Sequence, residues 1–156
     1  MAEVPFRVQP ALDDENRFFW TSGEDGRLRF ARCADCGYWL HPPIPRCPAC
    51  GSRHVAPHAV SGRGQVWSFT VNHHSWDGST EPYAIGLVEL DEQPGLRLTT
   101  NVVGCAPDDV HIGMRVRVTF EQHGIVWVPL FEPDPDATPH TAADTTAGTA
   151  DRGADA

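Results

Sequence analysis

The sequence predicts a mainly β fold: a short N-terminal helix, a compact cysteine-bearing unit, a five-stranded barrel and an acidic tail. Three observations predict it. Two Cys-x-x-Cys pairs, each followed by Gly, lie within residues 33–51. Period-two alternation recurs in short segments between residues 65 and 131, as expected of strands with one buried face. Gly and Pro, 14 of each in 156 residues, favour turns and short strands over long helices.

The elements follow in order. Residues 13–20 read as a short helix, with Asp13 and Asp14 at its positive end and Phe18 and Phe19 docking it. Gly23 and Gly26 stop it. The cysteine unit begins at Leu28. Residues 65–72 alternate Val66, Ser68 and Thr70 against Trp67, Phe69 and Val71. Residues 83–90 form a mostly apolar run, and 96–103 another after the turn Gln93-Pro94-Gly95. Residues 114–120 place Met114, Val116, Val118 and Phe120 on one face and Arg115, Arg117 and Thr119 on the other. His123-Gly124 reads as a hairpin turn into 125–131. Five such strands make a small barrel or sandwich, and the barrel is the working architecture.

Charge divides the chain. The net charge is −9, and all 12 basic residues are arginine. Residues 132–156 carry six acids and Arg152, hence −5, without a large apolar residue; this composition predicts a disordered acidic tail. Residues 1–131 carry fifteen acids and eleven arginines, hence −4. That balance argues against a nucleic-acid partner, which needs basic charge to displace counterions. No apolar run approaches the roughly 20 residues that cross a bilayer. The start, Met-Ala-Glu-Val-Pro, lacks a basic stretch followed by an apolar one, so no signal peptide is visible. A soluble, cytoplasmic protein with no membrane partner is the expectation.

Cys33-Ala-Asp-Cys36-Gly37 and Cys47-Pro-Ala-Cys50-Gly51 have zinc-ribbon spacing. Each pair makes a tight turn whose amides point at the sulfurs, and the trailing Gly permits positive φ. Four thiolates, Cys33, Cys36, Cys47 and Cys50, then surround one metal ion. Zinc is preferred; iron fits the same cage and would make the protein a rubredoxin-like electron carrier. With four thiolates no coordination position is open, so the site is structural. Cys105 stands alone and reads as a half-buried cysteine at a strand end.

His73, His74 and Trp76 fall in the loop between the first two barrel strands, where a ligand or partner could meet them. Neighbours in extended chain point to opposite sides, so the two histidines are not a natural metal pair. Arg63, Arg97, Arg115 and Arg117 could meet phosphates or pair with acids. Trp39, His41 and three prolines fill the ribbon between its knuckles, suited to an interface or to packing on the barrel. No Gly-rich phosphate loop, Gly-x-Ser-x-Gly elbow or His-Glu-x-x-His motif is present, and no catalytic residue is assigned.

The order of these parts carries a resemblance. Phe18-Phe19-Trp20 precedes Leu28-Arg29-Phe30-Ala31-Arg32-Cys33, His41-Pro42-Pro43 and the second Cys pair. Gly62-Arg63-Gly64-Gln65-Val66-Trp67, Pro82-Tyr83-Ala84-Ile85-Gly86 and Ile112-Gly113-Met114-Arg115-Val116 follow. Over residues 12–131 the chain resembles the DUF35 family of acyl-CoA-associated proteins, a rubredoxin-like zinc ribbon joined to an OB-fold. The resemblance implies a helical segment at 1–27, the ribbon at 28–58, the OB-fold at 59–131 and the tail at 132–156. It implies a structural Zn²⁺ and a non-catalytic subunit bound to a thiolase-like enzyme, in a heterotetramer or larger assembly acting on an acyl-CoA thioester. In actinobacterial steroid catabolism such a domain partners a lipid-transfer-protein-like aldolase, which cleaves a β-hydroxyacyl-CoA side chain to propionyl-CoA and a 17-ketosteroid. The arginine-only basic set and Ala-rich tail fit a high-GC bacterial chain and favour that system. A MaoC-like hydratase fused ahead of the unit in some relatives is not part of this sequence. Partner or substrate contacts are expected at Phe18, Phe19, Trp39, His73, His74, Trp76 and Tyr83. A single-strand nucleic-acid binder is the alternative from another class, since ribbons and OB-folds both serve that role.

Overall fold

A computed structural model describes residues 8–74 and 81–137. The helix is shorter than the sequence predicts. Of residues 13–20, Arg17–Trp20 (α1) are α-helical. Ahead of it the Asp13 carboxylate accepts the amide N–H groups of Glu15 and Asn16 at 2.9 and 2.8 Å. This is an N-cap contact, and the Asp13 carbonyl accepts the Arg17 N–H at 3.0 Å, but that single turn tightens at Asn16, whose carbonyl accepts from Phe19, before α1 begins. A 3₁₀ turn, Ser22–Asp25, follows and ends at Gly26, whose φ of 72° a residue with a Cβ adopts only under strain.

Three strands form the ribbon sheet: β1 (Arg29–Cys33), β2 (Trp39–Leu40) and β3 (Val55–Ala59). β1 is central, antiparallel to both neighbours. Five more strands, β4 (Arg63–Asn72), β5 (Tyr83–Leu90), β6 (Arg97–Val102), β7 (Arg115–His123) and β8 (Val126–Pro133), close a barrel in the order β4-β5-β6-β8-β7. β6 and β8 meet in parallel at Val102 and Phe131, while the other barrel pairs are antiparallel. This is the Greek-key closure of an OB-fold. β5 buries every second residue from Ala84 to Leu90, which its apolar run already required.

β4 departs from simple alternation. A bulge between Val66 and Ser68 leaves Trp67 unpaired and 45% exposed. After it the parity changes: Val66 and Phe69 both pack on the core, although strict alternation places them on opposite faces. Where β4 also pairs with β7, a side chain at Gly64 would lie 2.3 Å from the Glu89 carbonyl oxygen, so glycine alone fits.

The first residues of the stretch expected to be a tail from residue 132 are ordered. Glu132 and Pro133 continue β8, and Asp134 is buried. Its carboxylate lies 3.0 Å from Arg63 Nη1, an ion pair with poor hydrogen-bonding angles, and its amide donates to the Arg115 carbonyl. A charge supplied from β4 therefore orders residues whose local composition reads as tail. The rest of that expectation, residues 138–156, lies outside the described residues.

The main core joins barrel residues such as Val66, Val88, Leu98, Val116 and Phe131 to Phe19, Leu28 and Phe30 from the N-terminal side. A second, smaller cluster gathers Ala31, Cys33, Leu40 and Cys47 around the knuckles.

Candidate metal centre and ribbon–barrel junction

Each Cys-x-x-Cys pair is folded by its own backbone. Gly37 N–H donates to the Cys33 carbonyl and Gly51 N–H to that of Cys47, both at 2.9 Å, with Gly φ of 77° and 75°. Cys33 and Cys47 are buried and Cys36 and Cys50 exposed. All four Sγ atoms lie within 4.8 Å of one another. Cys33 Sγ is 3.7 Å from Cys50 Sγ, and Cys36 Sγ is 3.5 Å from Cys47 Sγ. Those separations are far too long for disulfides and match a tetrahedron of ~2.3 Å metal–sulfur bonds, whose edges are about 3.8 Å. The donor set therefore fits the metal that its spacing predicts.

Electrostatics point the same way. The Cys36 amide holds the Cys33 thiol down to about 6. At Cys50 the Ser52 amide also favours the thiolate, but the crowding sulfurs of Cys36, Cys33 and Cys47 outweigh it and push the thiol up to about 12. Four neighbouring thiolates repel one another, and a cation among them relieves that repulsion.

The ribbon is fastened to the barrel through Trp39. Its N–H donates to Gln93 Oε1 at 2.9 Å, and Gln93 Nε2 donates back to the Trp39 carbonyl at 3.2 Å. The Arg32 guanidinium lies 5.1 Å from the Trp39 ring centroid. Gln93→Leu leaves a part-buried N–H and C=O without partners and should cost about 1–3 kcal/mol. Urea denaturation followed by tryptophan fluorescence checks this; an unchanged midpoint would show that Gln93 does not carry the joint.

His41, two residues after Trp39, packs against aromatic rings of the main core. Its ring centroid is 5.1 Å from that of Phe19 and 4.7 Å from that of Phe30. Nδ1 is sealed with no hydrogen-bond partner, and burial pulls the imidazole down to about 4. The unfolded chain accepts a proton near pH 6.5, whereas the folded one resists it to about 4. Stability from this group is therefore complete above pH 6.5 and falls as pH drops toward 4. His41→Phe should remove that component, gaining up to about 3 kcal/mol relative to wild type on acidification. Parallel stability curves for both proteins between pH 7 and 4.5 would contradict the burial argument.

The other residues singled out from sequence separate into groups. Phe19 is only 4% exposed and belongs to the core, so its side chain is not on the surface as a partner contact requires. Phe18 is half-buried and touches both clusters. His73 and His74 are exposed, and the His74 amide donates to Asn72 Oδ1. Asn72 Nδ2 donates to the Tyr83 hydroxyl at 2.6 Å, which ties Tyr83 to the same end of the barrel. Trp76 lies outside the described residues. Arg63, Arg97, Arg115 and Arg117 each face a carboxylate, of Asp134, Glu89, Asp91 and Glu132 respectively. Burial raises the thiol of Cys105, which packs against the core, away from nucleophilic use. Sequence reasoning missed Gln93, whose turn carries no hint of its distant partner.

Among the described residues no helix is long and apolar enough to cross a membrane. Comparison with known proteins matches residues 20–56 to the ChsH2 rubredoxin-like zinc ribbon domain and residues 57–121 to the ChsH2 C-terminal OB-fold domain. A probable enoyl-CoA hydratase alpha subunit of Thermomonospora curvata is 42% identical over 81% of this chain. The 3-oxo-4,17-pregnadiene-20-carboxyl-CoA hydratase alpha subunit of Mycobacterium tuberculosis is 37% identical over 81% of it. The chain spans 40% of the length of each of these two relatives. A solved structure, the Ltp2-ChsH2(DUF35) aldolase, superposes with a TM-score of 0.71 at 40% identity, covering 80% of this chain and 98% of that one. Ribbon, barrel and cysteine cage agree with these matches throughout, and the chain belongs to the DUF35 family, as a protein of the ChsH2 type.

Proposed function

We propose that the protein is a non-catalytic accessory subunit of a thiolase-superfamily acyl-CoA enzyme. The observation that carries this reading is the similarity to a DUF35 chain of an aldolase, matched over 98% of that chain. The partner is a lipid-transfer-protein-like aldolase. It cleaves a β-hydroxyacyl-CoA steroid side chain by retro-aldol chemistry, giving propionyl-CoA and a 17-ketosteroid. The relative named for a pregnadiene carboxyl-CoA supports a steroid thioester as substrate class. The subunit stabilises its partner and helps to shape the CoA-ester site, in a cytoplasmic heterotetramer or larger assembly.

The metal is zinc and its role is structural: it holds the knuckles that form one end of the subunit. Phe18, Trp39, His73, His74, Trp76 and Tyr83 supply partner or substrate contacts. Ion pairing of Arg63, Arg97, Arg115 and Arg117 favours this reading over nucleic-acid binding, because their charge is already offset by carboxylates.

Co-expression with a thiolase-like subunit encoded beside it tests the proposal. The two should co-purify, and the pair should release propionyl-CoA from a steroid β-hydroxyacyl-CoA while this chain alone releases none. Cleavage by the isolated chain, or failure to co-purify, would refute it.

A further inference from the structure

The two knuckles repeat one pattern that four metal ligands alone do not require. Each reads Arg-Cys-x-x-Cys-Gly, with Arg32 ahead of Cys33 and Arg46 ahead of Cys47. The structure closes both in the same way. Arg32 Nε donates to the Gly37 carbonyl at 3.2 Å, and Arg46 Nη1 donates to the Gly51 carbonyl at 2.9 Å. Each side chain thus spans its knuckle from outside and holds the residue that follows the second cysteine. The barrel arginines Arg63, Arg97, Arg115 and Arg117 face carboxylates instead. Residues 28–58 contain four arginines and a single acid, Asp35, which faces His54, so no carboxylate draws Arg32 or Arg46 away.

The four sulfurs are not held equally. Cys33 and Cys47 belong to the small core, and their N–H groups donate to the carbonyls of Tyr38 and Ser52 at 2.9 and 2.8 Å. Cys36 and Cys50 are exposed. Water or a competing ligand reaches the exposed pair first, so ligand loss starts there. A sulfur that has let go is either recaptured or carried away by its own chain. The glycine beside it decides between these outcomes, because Gly37 and Gly51 follow Cys36 and Cys50 directly. The arginine bond to each glycine carbonyl is charge-assisted, which strengthens it relative to a neutral one. Arg32 is further steadied over the Trp39 ring, 5.1 Å from its centroid.

We propose that Arg32 and Arg46 are positioning residues that keep the exposed cysteines Cys36 and Cys50 within reach of the metal and so slow its loss. The inference rests on the metal centre and not on the accessory-subunit reading. Transfer of zinc from the loaded full chain to an excess of a colorimetric chelator tests it, together with the absorption spectrum of the Co²⁺-loaded chain. Both arginines are exposed, so neither substitution opens the core. Arg32→Gln and Arg46→Gln should each release zinc about fivefold faster, the effect of one hydrogen bond. Their Co²⁺ spectra should keep the wild-type four-thiolate bands, because the arginines act on the chain and not on the metal. Arg46→Lys retains a charged donor on a long stem and should stay near the wild-type rate. Arg53→Gln removes the same charge two residues beyond Gly51, from a side chain without a hydrogen bond or ion pair among the described residues, and should leave the rate unchanged. Unchanged release from both glutamine variants, equal acceleration by Arg53→Gln, a lysine variant no slower than the glutamine one, or a Co²⁺ spectrum that loses a thiolate would each overturn the proposal. A wild type without the four-thiolate spectrum would overturn the metal centre and the proposal with it.

Discussion

Replacing Cys33 with Ser should strip the metal and dissolve the ribbon. Cys33 ends β1, is 1% exposed and places its sulfur among three others. A serine hydroxyl does not replace a soft thiolate ligand, and three remaining thiolates hold the ion poorly. Because the unfolded chain has no preformed site, lost metal affinity is lost folding energy, about 10 kcal/mol for structural zinc. The small cluster of Ala31, Leu40 and Cys47 has too little apolar surface to replace it. Metal analysis should show stoichiometric metal in the wild type and a trace in the variant. Hydrogen exchange should show the amides of Cys33, Gly37, Cys47 and Gly51 unprotected, while those of β5 stay slow. Full metal content with intact protection of the knuckles would sink the structural role.

Phe131→Ala should cost about 3–5 kcal/mol, the usual range for a large aromatic removed from a core that cannot collapse around the gap. Phe131 is fully buried and pairs with Val118 on one side and Val102 on the other. Its carbonyl accepts the Val103 N–H at 2.8 Å. The residue thus stands at the seam where β8 meets β6 and the barrel closes. Ile125→Ala, at 65% exposure on the neighbouring hairpin, should change stability by less than ~0.5 kcal/mol. Urea midpoints for the two variants check the contrast. If they fall together, the barrel core has been wrongly drawn.

The parts legible in sequence were those with local causes. The cage needs a Cys-x-x-Cys-Gly turn twice, and each turn is complete within a few residues. β5 needs only its apolar run, and the β7–β8 hairpin only His123-Gly124. Features set by distant residues were not legible. Nothing near Asp134 announces that Arg63 will bury it, and nothing in Gln93-Pro94-Gly95 announces Trp39. The bulge at Trp67 was hidden for another reason: Val66 and Phe69 are both apolar, so either parity looks acceptable until the barrel selects one. The helix is shorter although Asp13 caps the expected start: its turn closes on Arg17 but tightens at Asn16 before the regular helix begins. In the candidate contact set, Phe18 and Phe19 could not be told apart from a two-residue string, yet one is core and the other half-open.

β1 serves two cores at once. Phe30 faces the barrel cluster, while its neighbours Ala31 and Cys33 belong to the cluster around the cage. Ribbon and barrel are thus successive in sequence but share an inventory of volume. A ribbon transplanted from a distant relative would bring its own residues at positions 28 and 30 into a cavity shaped by Val66, Val88 and Phe131. Recombination at the boundary between the two units should therefore yield stable chimeras only when those two positions travel with the barrel. Their inheritance follows the packing partner and not the neighbouring cysteines.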